Sequence, residues 1–154
     1  MNHQDFAITI ENLPRKRLLG NWTRLNAAMD KNECLDFRQA FCRRLQAVPG
    51  LEEQAAYSVC VNMKDNLDCE YWTAVEAGPD SPAPKGTVAM ELDGGCYACL
   101  ELPSGQSPAE SYDSLFKLLE SSQPSYAVDR DKPCFEVYDR NGQSGQVKIF
   151  IPCR

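Results

Sequence analysis

The chain has 154 residues, with 22 acidic against 16 basic side chains and a formal charge of −6. That length holds a real core without disulfide or metal staples, and the acidic balance argues against a phosphate backbone as partner, since nucleic-acid binders present a basic face. The single histidine, His3, excludes more: Ser-His-Asp triads, Cys-His dyads and HExxH zinc sites all need a well-placed imidazole.

In chain order, Phe6 to Ile10 alternates and is β-branched, which predicts a strand broken at Leu13-Pro14. Arg17 to Leu25 is a second extended stretch carrying Trp22. Asp30-Lys31-Asn32-Glu33 has the capping-box pattern. Behind it, Phe37, Phe41, Leu45 and Val48 recur at helical spacing, Arg38, Arg43 and Arg44 take other faces, and Pro49-Gly50 ends the helix. Strands are expected at Ala56 to Val61 and Tyr71 to Val75, followed by a proline-rich loop over 76–86. Thr87 to Leu92 and Gly95 to Leu102 read as two strands joined by Asp93-Gly94, a two-residue hairpin signal. Ser107-Pro108-Ala109-Glu110 opens a second helix with Tyr112, Leu115, Phe116 and Leu119 as its apolar stripe. Cys134 to Tyr138, a turn at Asn141-Gly142 and Val147 to Ile151 complete the pattern.

No stretch approaches the roughly 20 apolar residues of a membrane span, and the opening residues lack a secretory signal. The expectation is a cytoplasmic protein with no membrane contact, whose eight cysteines are mostly reduced.

The two halves, about 1–76 and 87–154 of one domain over 1–154, resemble each other when shifted by 78 residues. Phe37 and Phe41 fall on Leu115 and Leu119, Tyr57-Ser58-Val59 on Phe135-Glu136-Val137, and Trp72 on Phe150. Each half reads strand, strand, helix, strand, strand. The expected fold is therefore α+β, two β-β-α-β-β units related by an approximate two-fold axis, with a ligand cleft between them.

Glu136 stands out within this pattern. In Cys-Phe-Glu-Val-Tyr it shares a strand face with Cys134 and Tyr138, and a mid-strand carboxylate needs water, a polar partner or a cation. It reads either as an anchor for a positively charged apolar ligand or as one acid on a solvated outer face. Trp22, Tyr57, Tyr71, Trp72, Tyr97, Tyr138 and Phe150 lie on predicted strands, where their ring faces suit either an organic cation or ordinary core packing. Cys96-Tyr-Ala-Cys99 offers neither a metal site nor a redox pair: no second ligand pair or histidine is suitably spaced, and strand positions three apart face opposite sides.

Pro133 to Tyr138, with Asp93-Gly94-Gly95-Cys96-Tyr97-Ala98-Cys99 and Ile149-Phe150-Ile151-Pro152, resembles the GyrI-like effector-binding domain family. That family includes the ligand-binding parts of Rob-type and BmrR-type regulators and free-standing gyrase inhibitors. The resemblance implies the duplicated fold with a central cleft and no cofactor. It also implies a bulky, often cationic aromatic ligand held against an acid, which carries over to Glu136, with the family's strand aromatic at Trp72. Regulators of the family add an N-terminal DNA-binding domain, for which the predicted strand at Phe6 leaves no room; the expectation is a stand-alone effector-binding protein without direct nucleic-acid contact.

Two alternatives stay open. Some GyrI-like proteins hydrolyse reactive cyclopropane-bearing toxins; here Glu136 would act as general base and Tyr138 or Tyr97 as hydrogen-bond donor. A protein partner such as a transcription regulator or gyrase follows from family analogy alone.

Overall fold

The computed structural model describes residues 8–26, 31–45, 55–64, 66, 68–78, 80, 82–102, 108–129, 131–138 and 147–154. The expected strand start at Phe6, helix caps at Asp30 and Ser107, helix end at Pro49-Gly50 and turn at Asn141-Gly142 lie outside these residues, as does the side chain of Tyr112.

The elements are β1 (Ile8–Leu13), β2 (Lys16–Asn26), α1 (Lys31–Leu45), β3 (Ala56–Val61), β4 (Asp68–Ala77), β5 (Val88–Leu92), β6 (Gly95–Leu102), α2 (Pro108–Ser122), β7 (Cys134–Tyr138) and β8 (Val147–Pro152). All eight strands join one sheet in the order β1-β6-β8-β7-β3-β4-β2-β5. Exchanging each strand for its counterpart in the other half (β1 for β5, β2 for β6 and so on) reverses that order and leaves it otherwise unchanged. The duplication is thus realised in the topology. Its pseudo-two-fold axis runs between β3 and β7, where Ser58 pairs with Glu136, the two residues that the 78-residue shift superposes.

The expected Asp93-Gly94 hairpin does not form. β5 pairs with β2 at one edge of the sheet, while β6 pairs with β1 and β8 near the other. A two-residue hairpin of type I′ needs positive φ at both turn residues, whereas here positive φ falls on Gly95, at 137°. Asp93-Gly94 instead carries the chain from one end of the sheet towards the other, as Pro14-Arg15 does between β1 and β2. Three Cα steps reach about 11 Å, yet six strand spacings in a flat sheet span about 29 Å. The sheet must therefore curl until its ends meet. At the meeting point, a side chain on Gly94 would approach the Leu13 carbonyl oxygen at 2.8 Å and the Arg15 nitrogen at 2.9 Å.

Curling gives the faces different contents. Inside the curl, Leu18 and Leu92 from one end and Tyr97 from the other pack with Tyr57, Val59, Trp72, Ala74 and Phe135. The opposite face carries both helices. Leu115 and Leu119 of α2 pack on Leu100, Ile149 and Ile151, and α1 sets Phe37 against the group containing Tyr71 and Phe41 on Val75. One tight contact fixes the first half: a Cβ on Gly20 of β2 would collide with the Thr73 carbonyl and with Ala74 Cβ at 2.6 Å. Gly20→Ala is expected to cost about 1–3 kcal/mol through forced strand separation, read as a lower urea midpoint with unchanged m-value.

Candidate ligand-binding site

Strand alternation and register build the site on the helix-bearing face. Asn21 of β2, Thr73 of β4, Ser58 of β3, Glu136 of β7 and Ile149 of β8 are successive cross-strand partners. They form a row that stays polar through Ser58 and Glu136, on either side of the pseudo-two-fold axis, and turns apolar at Ile149. Glu136 is only 4 % exposed, so it does not belong to a solvated outer face. Burying a carboxylate requires compensation, and the neighbours supply it.

Tyr138, 8 % exposed and two residues along the same strand face, donates its hydroxyl to Glu136 Oε1 at 2.7 Å. Burial, and then the Glu136 charge, push the Tyr138 phenol well above its ordinary range, so it remains a donor. Arg38 reaches in from α1, with its guanidinium carbon 3.9 Å from the centre of the Tyr138 ring, a cation–π distance. Burial works against the Arg38 charge, but Tyr138, Tyr71 and Glu136 together outweigh it and raise its pKa. Tyr71 Oη and Ser58 Oγ are hydrogen-bonded at 2.8 Å. Thr73 Oγ1 is buried with no hydrogen-bond partner. The result is an acid, two phenols, two hydroxyls and one guanidinium under the helices.

Of the eight side chains singled out from the sequence, Glu136, Tyr138 and Tyr71 come together here. Trp72, Tyr97, Trp22, Phe150 and Tyr57 stand on the other face of the sheet. Phe135 is their hub, with ring centres 4.8 Å from Phe150, 5.5 Å from Tyr97 and 5.8 Å from Tyr57. Trp22, 39 % exposed, stacks on Trp72 at 6.3 Å. At its rim, Tyr57 donates to Glu76 Oε2 and accepts from Lys16 Nζ, both at 3.2 Å. These aromatics share a cluster with one another and not with Glu136.

Arg38, Ser58 and Thr73 join the site without having been singled out. Ser58 had a signal, as the residue superposed on Glu136 by the internal repeat. Thr73 follows from it as the next cross-strand partner once register is known. Arg38 looked like one of several surface arginines on α1, and only the helix's seat on the sheet turns it inward. A separate hollow of about 570 Å³, lined by residues including Arg24, Asn62, Lys64 and Glu70, lies at the β2–β4 end of the sheet. Among the described residues no cluster of His, Cys, Asp and Glu could hold a metal ion, and no helix is long and apolar enough to cross a membrane.

A curled, duplicated antiparallel sheet with two helices on one face and a buried acid on its axis defines an α+β fold of the effector-binding type. The sequence model of the Cass2 family, described as integron-associated effector binding protein, matches residues 9–153, and the chain belongs to that family. No curated protein sequence matches significantly. Among solved structures, SAV2435 bound to tetraphenylphosphonium aligns with a TM-score of 0.70 at 17 % identity, covering 96 % of this chain and 94 % of that one. The C-terminal domain of EcmrR aligns at 0.69 and 12 %, covering 98 % and 99 %. The Vibrio cholerae integron cassette protein VCH_CASS2 aligns at 0.59 and 17 %, covering 97 % of each chain. Family membership makes this a small-molecule effector-binding protein; the structural likenesses, at such identities, speak for the fold.

Proposed function

We propose that this protein binds bulky aromatic cations on the helix-bearing face of the sheet, with Glu136 as anionic anchor and the Tyr138 and Tyr71 rings as walls. One observation carries the reading: a cation already occupies this place. The Arg38 guanidinium lies 3.9 Å over the Tyr138 ring, beside a carboxylate that is 4 % exposed. A ligand bearing a delocalised positive charge would take over those interactions as Arg38 withdraws with α1. The tetraphenylphosphonium held by SAV2435 is a compound of this class. Thr73 Oγ1, buried and unpartnered, is one more polar contact within the same row.

Arg38→Met tests the exchange. The variant removes the positive charge that lies over the Tyr138 ring and is favoured by the Glu136 carboxylate, so the unliganded protein should melt earlier. Tetraphenylphosphonium then restores the missing charge, and its affinity should rise about tenfold, or roughly 1.4 kcal/mol, read by calorimetry and thermal shift. Unchanged or weaker binding in a folded Arg38→Met protein would show that the ligand does not compete with the guanidinium.

The hydrolytic alternative finds less support. A general base must reach an attacking water within hydrogen-bond distance, but Glu136 already accepts from Tyr138 and is almost wholly buried. Tyr97, the other donor considered, is on the opposite face and gives its hydroxyl to the Asp93 carbonyl at 2.7 Å.

A further inference from the structure

We propose that Cys96 and Cys153 form a thiol–disulfide switch: a modification site at which a small-molecule disulfide closes a bond between the start of β6 and the residue that follows β8. Tyr97 pairs with Pro152, so the next rung sets Cys96 opposite Cys153, and the Cys153 amide donates to the Cys96 carbonyl at 3.0 Å. Their sulfurs, both free thiols, are 2.7 Å apart. A disulfide bond is about 2.05 Å long, so closure asks each sulfur to move only about 0.3 Å. The backbone fixes this approach: Arg154 and Ala127 exchange amide–carbonyl hydrogen bonds of 2.9 Å in both directions, and Val128 bridges to Cys153.

Access sets the order of events. Cys96 is half-buried, whereas Cys153 is buried. Burial, and then the neighbouring Cys96 thiol, push the Cys153 thiol up to about 12, so Cys96 is the group that reacts with an incoming disulfide. As thiolate, Cys96 attacks one sulfur of oxidised glutathione, breaks its S–S bond and releases one glutathione thiolate, which takes up the proton Cys96 gave to solvent. Cys153 then loses its proton, attacks the Cys96 sulfur of the mixed disulfide and releases the second glutathione. Two protein thiols are oxidised and one glutathione disulfide is reduced to two thiols. The Cys96–Cys99 pair suggested by spacing cannot do this: within β6, Cys96 faces the rung with Cys153 while Cys99 faces away from it.

The test exposes the native full chain to oxidised glutathione and follows it by intact mass, peptide mapping and melting temperature. The mass should fall by two hydrogen atoms, with the Cys96 and Cys153 peptides joined. The melting temperature should rise by about 5–10 °C, because the bond closes a long loop in the unfolded chain, and dithiothreitol should reverse both changes. Cys153→Ser should instead accumulate a glutathione adduct on Cys96. A stable adduct on the wild-type protein, a bond between other cysteines or full retention of free thiols would overturn the proposal. The wild-type mapping needs no variant, so a poorly folding Cys153→Ser cannot blunt the test.

Discussion

Replacing Glu136 by Gln is expected to weaken binding of tetraphenylphosphonium by about 30–100-fold, or roughly 2–3 kcal/mol, the scale of a lost buried charge partner. Binding of triphenylphosphine oxide, which keeps the aromatic bulk without the charge, should change by less than about threefold, near 0.6 kcal/mol. The contrast follows from the site's two sources of affinity. Apolar burial, at about 25 cal/mol per Å², serves both compounds equally. Only the cation draws on a carboxylate that is shielded from water by Tyr138 and the helices. Calorimetric titration of both ligands against both proteins reads the difference, and equal losses for the two compounds would remove the electrostatic anchor from the proposal. The variant also leaves Arg38 facing a neutral amide, so the double variant Glu136→Gln/Arg38→Met belongs in the series. It should recover stability relative to the single Gln variant while binding the cation no better, since the anchor is still missing.

Phe135→Ala is expected to do the reverse. The ring is 2 % exposed and is the common neighbour of Phe150, Tyr97 and Tyr57. Its truncation should cost about 3–5 kcal/mol, a fall in melting temperature on the order of 10 °C. Phe135 nevertheless points to the face away from Glu136. Below the unfolding transition, tetraphenylphosphonium affinity should therefore stay within about threefold of wild type. A loss of binding comparable to that of Glu136→Gln would mean that the aromatic cluster inside the curl, with Trp72 and Tyr97, contributes to the ligand site after all. Adjacent residues of one strand are thus assigned opposite roles, and the two measurements separate them.

Alternation in Cys134-Phe135-Glu136-Val137-Tyr138 is enough to put Glu136 and Tyr138 on one side and Phe135 on the other. The same two-residue period says nothing about which side is buried. It also cannot tell whether Trp72 on β4 and Tyr97 on β6 look the same way as Glu136, because that depends on register between strands far apart in sequence. Five of the eight candidate side chains proved to stand on the other face for this reason. Arg38 was invisible in a different way: its partners Tyr138 and Glu136 lie about a hundred residues away, and no helical periodicity marks an arginine that turns beneath its own helix. Asp93-Gly94 carries a local turn signal that closure of the sheet overrides, sending the next strand to the opposite end.

The duplicated strand and helix pattern and the acid at its repeat centre are both legible in the sequence alone. Each of these is a local property: side-chain period, residue type, spacing. The tertiary structure decided the rest. Curling brought the sheet ends together, while the helices on the opposite face covered Glu136 beside the pseudo-two-fold axis and lowered Arg38 onto Tyr138. It also set Cys96 beside Cys153, a neighbour 57 residues away in the chain. These outcomes depend on long-range register and on which face the helices cover, and both are set by the packing of the whole chain.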